Sequence, residues 1–253
     1  MLTVGDIFST SSYGDLEVVE YVNSGNVKVR FSNTGYEACT TASSIRKGLV
    51  KDYLKPSVYF VGFNSAGKRP TKRDNPLMFE AYYKWKEMLR RCYSENFLKD
   101  NPTYIGCNVT PLWLDFNNFY NWYLNVRKDY MDSSWNLDKD LLTDYDNKTY
   151  SPEFCELVPK ELNRAITGVR TNKQCKTTIG VSYCESVGNY RAYCNDAKGD
   201  RLNIGMFPSE DLAFEAYCEH KDLAVKTIAQ ELQGKISDRL FKALSEYKTK
   251  RRV

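Results

Sequence analysis

Residues 179–207 read IGVSYCESVGNYRAYCNDAKGDRLNIGMF, and this stretch decides the fold of the C-terminal part of the chain. Turn sequences that contain glycine interrupt it at 188–189 and 198–200. The runs that the turns separate are rich in aromatic and β-branched residues and lie at 179–183, 190–194 and 201–207. The stretch therefore predicts a three-stranded sheet.

A long helix is predicted directly after this sheet. Ser209 is a favoured helix N-cap, and Glu210 and Asp211 follow in the first turn, where the helix dipole favours acidic residues. Gly234 is placed to end the helix. The residues expected on its buried side are Leu212, Ala216, Leu223, Ala224, Ile228 and Leu232. We expect the sheet to pack on this helix.

The preceding segment, 76–170, begins as a helical region. Pro76 suits the first turn of a helix, and a second helix is predicted after Trp113. Aromatic residues recur in the second helix at helical spacing, at Phe116, Phe119, Tyr120 and Tyr123. They could stack on nucleic-acid bases, but this spacing is more typical of a protein core.

The pattern changes from residue 136 onward to strand, turn, strand and helix. Strands are predicted at 137–142 and 155–158, and a helix that carries Asn163 begins at Pro159. This is a ββα order.

The N-terminal segments complete an α+β protein. Residues 1–60 predict a small β module of five short strands, which resembles an SH3-like barrel, and residues 61–75 predict a basic linker. The predicted organisation is the β module at 1–60, the linker at 61–75, a helical and ββα domain at 76–170, and the sheet with its helices at 171–253.

The overall composition excludes several classes of protein. The chain has 253 residues and 42% hydrophobic residues, without an apolar run of about 18 residues or a signal peptide. We therefore expect a cytoplasmic protein with no membrane partner. Its eight cysteines contain no Cys-x-x-Cys pair, so reduced thiols are expected; a structural zinc held by distant cysteines is the alternative.

The charge is unevenly distributed along the chain. The net charge is +4, but residues 66–92 hold eight Lys and Arg against three acids, and residues 164–206 hold seven against three. Between them, residues 95–163 hold six bases and twelve acids. This pattern suits a protein that contacts a polyanion in two places and a cation between them, or it is ordinary surface charge.

A series of short motifs runs from Tyr82 to Asn163. The motifs are Trp85-x-x-Met-Leu-x-Arg-Cys-Tyr93, Tyr104-Ile-Gly-Cys-Asn-Val109, Trp113-x-x-Phe-x-x-Phe-Tyr-x-Trp122, Leu137-Asp-Lys-Asp140, Asn147-Lys-x-Tyr-Ser-Pro152 and Cys155-x-x-Val-Pro159. In this order they resemble the bacteriophage-encoded endonucleases of the HNH homing type. The β module, with Thr34-Gly-Tyr36 and Ile45-Arg-Lys-Gly48, is similar to a leader often fused to these enzymes.

A second resemblance covers residues 178–217. Its motifs are Gly180-Val181, Tyr190-Arg-Ala192, Gly199-x-Arg201, Ile204-Gly205-x-Phe207 and Ala213-x-x-Ala-Tyr217. Together they look like the apetala-type DNA-binding domain that is also found attached to homing endonucleases. This resemblance implies that the sheet enters the major groove of duplex DNA, although Asp200 stands where a basic residue is common.

The resemblance to HNH enzymes implies a metal-dependent DNA endonuclease. Its ββα finger would hold a divalent metal, magnesium or manganese, on Asp138, Asp140 and Asn163, with Lys139, Asp138 and Asn163 as catalytic residues. Lys139 stands where the histidine base is expected, and it would either hold the phosphate or act as a base if burial lowered its pKa. His220, the only histidine, is interpreted as a residue of a helix face.

The basic residues and the sheet predict the DNA contacts. The strand residues expected near bases or phosphates are Ser182, Arg191, Tyr193, Arg201 and Asn203, because arginine pairs with guanine edges and asparagine with adenine. Arg164, Arg170, Lys173 and Lys176 form a basic connector that could follow the phosphates. The alternatives are ordinary solvated strand charges and an acidic hairpin without metal.

Two functions therefore remain open from the sequence. The first is an endonuclease that acts in the host cytoplasm if a phage encodes it. The second is a protein whose nuclease fold has degenerated and which binds DNA or a host protein. The missing histidine favours the second, whereas the retained acids and Asn163 favour the first.

Overall fold

The computed structural model describes residues 2–128, 131–132, 134–143, 148–167 and 177–249. They form a mixed α+β protein with several small sheets, as the sequence predicts. The chain divides into two compact units, residues 1–125 and 126–253. This boundary falls within the predicted 76–170 segment, and the finer division into four segments stays a prediction.

The first unit contains a small sheet followed by helices. Its strands are β1 (Ile7–Ser9), β2 (Asp15–Asn23), β3 (Asn26–Phe31), β4 (Glu37–Thr40) and β5 (Asn108–Val109). Its helices are α1 (Ala42–Arg46), α2 (Pro76–Tyr93), α3 (Glu95–Asp100) and α4 (Phe116–Val126), and short 3-10 turns occupy Pro102–Tyr104 and Pro111–Leu114.

The N-terminal sheet is an open antiparallel meander. Its strand order is β1-β2-β3-β4, and its alternate residues Leu16, Val18, Val27, Val29 and Phe31 are buried. The prediction of five strands that close into a barrel is wrong for the described residues, because β1 and β4 stay as separate edges. The chain turns into α1 after β4, where the Thr41 hydroxyl accepts a hydrogen bond from the backbone N–H of Ser44 at 3.1 Å.

An aromatic core joins α2 to α4. Trp85 and Trp113 are fully buried, and the Trp85 indole N–H donates to the backbone carbonyl of Trp113 at 2.7 Å. Of the four predicted core aromatics, Phe116, Phe119 and Tyr123 have no exposed surface, which confirms that they pack inside the protein, whereas Tyr120 is half-buried.

The first part of the predicted linker is packed into this unit. The backbone N–H of Phe63 donates to the carbonyl of Leu114 at 2.9 Å, and that of Ser65 donates to Asp115 Oδ1 at 3.1 Å. Gly62 lies so close to α2 that a Cβ atom there would stand 2.4 Å from Leu89 Cδ1. A glycine is therefore required here, because the backbone lies too close to α2 to leave room for a side chain.

The second unit contains the ββα segment and the C-terminal sheet. Its strands are β6 (Asn136–Asp138), β7 (Thr149–Tyr150), β8 (Glu156–Val158), β9 (Val181–Cys184), β10 (Asn189–Asn195) and β11 (Arg201–Phe207). Its helices are α5 (Lys160–Thr167), α6 (Glu210–Glu231) and α7 (Asp238–Ser245). β6 pairs antiparallel with β8, and α5 follows, so the predicted ββα order is present.

The predicted three-stranded sheet on a helix is confirmed. The strand order is β11-β10-β9, both pairs are antiparallel, and α6 covers one face. Ser209 caps α6 as predicted, because its hydroxyl accepts a hydrogen bond from the backbone N–H of Leu212 at 3.3 Å.

Helix α6 buries two different faces, one after the other along its length. Ala213, Phe214 and Tyr217 pack against the sheet, whereas Val225 and Ile228 pack against α5 and α7. The predicted buried side is correct at Ala224 and Ile228 but wrong at Leu212 and Leu223, which are 46% and 65% exposed. A single helical period does not describe a helix that contacts two different partners in turn.

The ββα segment shares a core with the helices of the C-terminal sheet. Its Val158, Leu162, Ala165 and Ile166 pack with residues of α6 and α7. Arg239 of α7 adds polar bonds, because its guanidinium donates to Glu156 Oε1 and to the backbone carbonyls of Pro152, Glu153 and Cys155. No helix among the described residues is both long enough and apolar enough to cross a membrane.

Gly180→Ala should destabilise the second unit. Gly180 has φ +79°, and a Cβ atom there would stand 2.2 Å from Cδ2 of the fully buried Tyr217 ring. We expect an overpacking cost of about 1–3 kcal/mol in addition to the backbone strain of about 1–2 kcal/mol. Urea unfolding of the full chain measures the loss.

Gly188→Ala is the matched control. Gly188 has a similar φ of +68° in the turn between β9 and β10, but the only described atom near its added Cβ is Tyr183 Oη at 4.0 Å. The Gly188→Ala variant should therefore lose only the part of the stability that corresponds to backbone strain. Equal losses of stability in the two variants would contradict the proposed clash with Tyr217.

Candidate nucleic-acid interface and acidic turn

The three-stranded sheet has one face that is not covered by α6, which we call the outer face. Ala192 and Cys194 of β10 point toward α6 and pack with its residues. Because successive side chains of a strand alternate between faces, Arg191 and Tyr193 belong to the outer face.

The strand register brings the predicted DNA-binding residues together on the outer face. Arg191 lies opposite Ser182 of β9 and Met206 of β11, and Tyr193 lies opposite Asn203. Residues that pair directly across antiparallel strands share a face. Of these, Arg191, Asn203 and Met206 are exposed.

A β-bulge decides which residues of β11 join the outer face. The register shifts between Ala192, which pairs with Gly205, and Tyr193, which pairs with Asn203. Ile204 is the extra residue, and its side chain packs against the core on the α6 side. Arg201, Asn203 and Met206 therefore share one face despite their uneven spacing.

Arg201 covers the ring of Tyr193. Its guanidinium carbon lies 4.3 Å from the ring centroid, and Tyr193 is only 5% exposed. This cation–π contact fixes the guanidinium on the outer face while its edge stays in solvent. Tyr193, predicted to lie near bases, is thus shielded and positions Arg201.

The positive charge of Arg191 affects the ionisation of Cys184, a neighbouring thiol. The pKa of the half-buried Cys184 thiol is lowered, first by the hydrogen bond with the Ser186 hydroxyl and also by the positive charge of Arg191. Asp200, the acid that departs from the apetala-type pattern, lies before β11 in the turn and is exposed.

Arg164 is the one predicted connector residue that the structure describes. It is exposed on α5, and its Cδ lies 3.9 Å from the position that a Cβ of Gly199 would take in the β10–β11 turn. It therefore stands at the end of the sheet. Arg170, Lys173 and Lys176 lie outside the described residues.

The predicted catalytic acids occupy a tight turn, residues 138–141, which we call the acidic turn. Strand β6 ends at Asp138, whose Oδ1 accepts hydrogen bonds from the backbone N–H groups of Asp140 at 2.9 Å and Leu141 at 3.0 Å. The predicted strand at 137–142 is therefore wrong beyond Asp138, and Asp140 lies in a turn rather than on a strand. The Asp138 carboxylate ends the strand by capping the turn.

Lys139 is buried in the acidic turn. It is 7% exposed and forms an ion pair with Asp140, and its Nζ lies 5.7 Å from the centroid of the Tyr150 ring. The carboxylate of Asp140 therefore holds the Lys139 side chain within the turn.

The surroundings of Asp138 raise the pKa of its carboxyl. Burial raises the pKa of its carboxyl, and the negative charge of Asp140 raises it further, while the two backbone hydrogen bonds oppose the shift. Burial also raises the pKa of the neighbouring Cys155 thiol. The turn is thus a site where a further positive charge would be favourable.

The acidic turn fits a magnesium ion only in part. Asp138 Oδ2 accepts no hydrogen bond from any described residue, but Asp140 is shared with Lys139. No group of three or more His, Cys, Asp or Glu side chains within the described ranges could hold a metal. Magnesium is often held by one or two carboxylates with water and phosphate, and Asp138 suits this mode.

The remaining predicted candidates are Asn163, His220 and the cysteines. Asn163 is half-buried one turn into α5, where its backbone N–H donates to the carbonyl of Pro159 at 3.1 Å. His220 is exposed, with Nδ1 2.9 Å from the carbonyl oxygen of Ala216. The seven described cysteines are free thiols.

Sequence reasoning missed Met206. It is exposed on the outer face beside Arg191. Simple alternation from Arg201 assigns positions 203, 205 and 207 to that face, and no turn residue or motif marks the bulge. The glycine at 205 is the only local signal, because glycine inside a strand often accompanies a bulge.

The fold and site define a mixed α+β protein whose second unit joins an exposed basic sheet face to a ββα element. No family model matches the chain, and no curated protein or solved structure matches it either.

Asp138→Asn should stabilise the protein at neutral pH in a buffer with EDTA. An asparagine Oδ1 can still accept the two backbone hydrogen bonds, while the charge of the half-buried carboxylate is removed. A raised folded-state pKa means that Asp138 favours folding while protonated and loses this contribution as the pH rises. The gain in thermal midpoint should therefore be present at pH 7 and shrink toward pH 4.

The control for this experiment is Asp132→Asn. Asp132 is an exposed acid whose pKa is lowered by its hydrogen bonds to Ser134, so its substitution should not stabilise the protein at pH 7. A lower midpoint for Asp138→Asn than for the wild type at neutral pH would contradict the burial argument.

Proposed function

We propose that this protein binds duplex DNA through the outer face of its C-terminal sheet. The observation that carries the proposal is the convergence of Ser182, Arg191, Arg201 and Asn203 on one uncovered face. The resemblance to the apetala-type domain supports the same surface.

The chemistry of this face suits DNA. Two arginines supply positive charge for phosphates and bidentate donors for guanine, and Asn203 offers the pair of groups that reads adenine. The Tyr193 ring holds Arg201 in place, so less freedom is lost when the guanidinium binds. Met206 adds an apolar contact that suits a thymine methyl group.

Replacing Arg191 and Arg201 together by alanine should weaken DNA binding about tenfold or more. Loss of two cationic contacts should also reduce the slope of log K against log salt by about 1.8. Fluorescence anisotropy with a labelled duplex, measured from 50 to 200 mM salt, gives both quantities.

The matched control is Lys235→Ala with Lys242→Ala. These exposed lysines lie beyond α6 and on α7, and their loss lowers the net charge by the same amount. The control should retain near wild-type affinity. If both double variants lose affinity equally, binding depends on net charge and the sheet is not the interface.

The second candidate function is metal-dependent cleavage of DNA, with the ββα segment acting as an HNH-like finger. The observation that favours it is the antiparallel β6–β8 pair followed by α5, with an open oxygen of Asp138 at the end of β6. Asp138, with Asp140 or Asn163, would hold magnesium or manganese. A bound ion would supply positive charge to the scissile phosphate.

Lys139 would then not replace the histidine that HNH enzymes use as a base. Its ammonium is paired with Asp140, so we assign it to holding the phosphate, and the attacking water would need another base. If the finger does not bind metal, the protein is a DNA-binding factor, with a host protein as an alternative partner.

A nicking assay separates the two functions. Supercoiled plasmid with magnesium or manganese should be nicked by the wild type, and Asp138→Asn, which keeps the turn but loses the ligand oxygen, should be slower by about 100-fold. Absence of nicking by the wild type with either metal, or equal nicking by both proteins, would remove the nuclease function and leave DNA binding.

A further inference from the structure

The turn from Val58 to Gly62 presents an aromatic ring at a strained tip. Tyr59 and Phe60 have φ values of 51° and 62°, and they are the only non-glycine residues with positive φ among the described residues. The left-handed region normally suits glycine or asparagine, because a Cβ atom there crowds the backbone. Phe60 is 95% exposed.

The base of this turn is held firmly. The backbone N–H of Ser57 donates to the carbonyl of Gly62 at 2.8 Å, and the N–H of Gly62 donates to the carbonyl of Val58 at 2.9 Å. Gly62 is packed against the side chains of Trp85 and Leu89. The tip therefore projects from a rigid support.

The two residues at the tip are oriented differently. Tyr59 turns toward the protein, where burial, followed by the charge of Glu87, raises the pKa of its phenol. Phe60 points to solvent. An exposed phenylalanine gains nothing from burial, and glycine would relieve the strain, so folding does not account for this residue.

The chain around the tip is strongly basic. Residues 53–73 contain five Lys and Arg and no acid. Lys68, Lys72 and Arg73 are exposed. A rigid exposed ring in a stretch with this charge fits a polyanion that has stacked aromatic faces, which is the chemistry of a nucleic-acid duplex.

We propose that Phe60 is a wedge that inserts between base pairs of duplex DNA, as a second contact carried by the first unit. Insertion unstacks one base step, and the basic residues of 68–73 neutralise the neighbouring phosphates. This inference rests on the proposed DNA binding, but it concerns different residues from those of the outer face.

The test uses the full chain and mixed-sequence duplexes of about 40 base pairs with 2-aminopurine placed at TA and CA steps, which unstack most readily. Wild-type protein should raise 2-aminopurine fluorescence about threefold or more. Phe60→Ala should abolish this rise and weaken binding about 5- to 50-fold, since stacking of an aromatic residue on bases contributes on this scale.

Two further variants control for stability and for exposed apolar surface. Phe60→Gly should raise the melting temperature by about 3–6 °C, because the strain is relieved, and it should also lose the fluorescence signal. Leu49→Ala removes another exposed apolar side chain of the first unit, 61% exposed, and should leave both fluorescence and affinity unchanged.

The outcomes distinguish this inference from the proposed function. Wild-type protein that binds no duplex overturns both. Equal affinity and fluorescence for wild type and Phe60→Ala overturns the wedge while DNA binding stands. If Phe60→Ala leaves DNA binding unchanged but disrupts a dimer seen in sedimentation, the tip is a contact between copies of this chain. That result would likewise overturn the wedge.

Discussion

One hydrophobic core in the second unit holds the ββα segment and the C-terminal sheet in a fixed relation. Val158 and Leu162 of the ββα segment pack with Val225 and Ile228 of α6, and α6 in turn carries the three-stranded sheet. Arg239 strengthens this core at its edge, since one guanidinium satisfies the buried Glu156 and three backbone carbonyls. The acidic turn and the sheet therefore belong to one folded body.

This shared core links the acidic turn to the outer face through α6. The resemblances describe a nuclease finger and a DNA-binding domain as separate modules, but here a single helix packs against both. A duplex held by the outer face would stand in a defined position relative to the acidic turn. Helix α5 is part of this core whatever the chemistry of the ββα segment, because its Leu162, Ala165 and Ile166 pack with residues of α6 and α7.

The acidic turn holds one buried charge, Lys139, beside two half-buried carboxylates. Lys139 forms an ion pair with Asp140, whereas Asp138 accepts two backbone hydrogen bonds. A charge in this position is costly unless a partner or a proton compensates it. The raised pKa of the Asp138 carboxyl reflects this cost.

Local sequence signals predict the three strands and their turns, the Ser209 cap and the burial of Phe116, Phe119 and Tyr123 in α4. These follow from signals that act over a few residues. Only the tertiary structure decided that the N-terminal sheet stays open, that β6 stops at Asp138, that Ile204 bulges to place Met206 outward, and that Arg201 covers Tyr193. Each of these depends on a partner strand, a neighbouring side chain or a competing hydrogen bond, and a pattern along the chain does not contain that information.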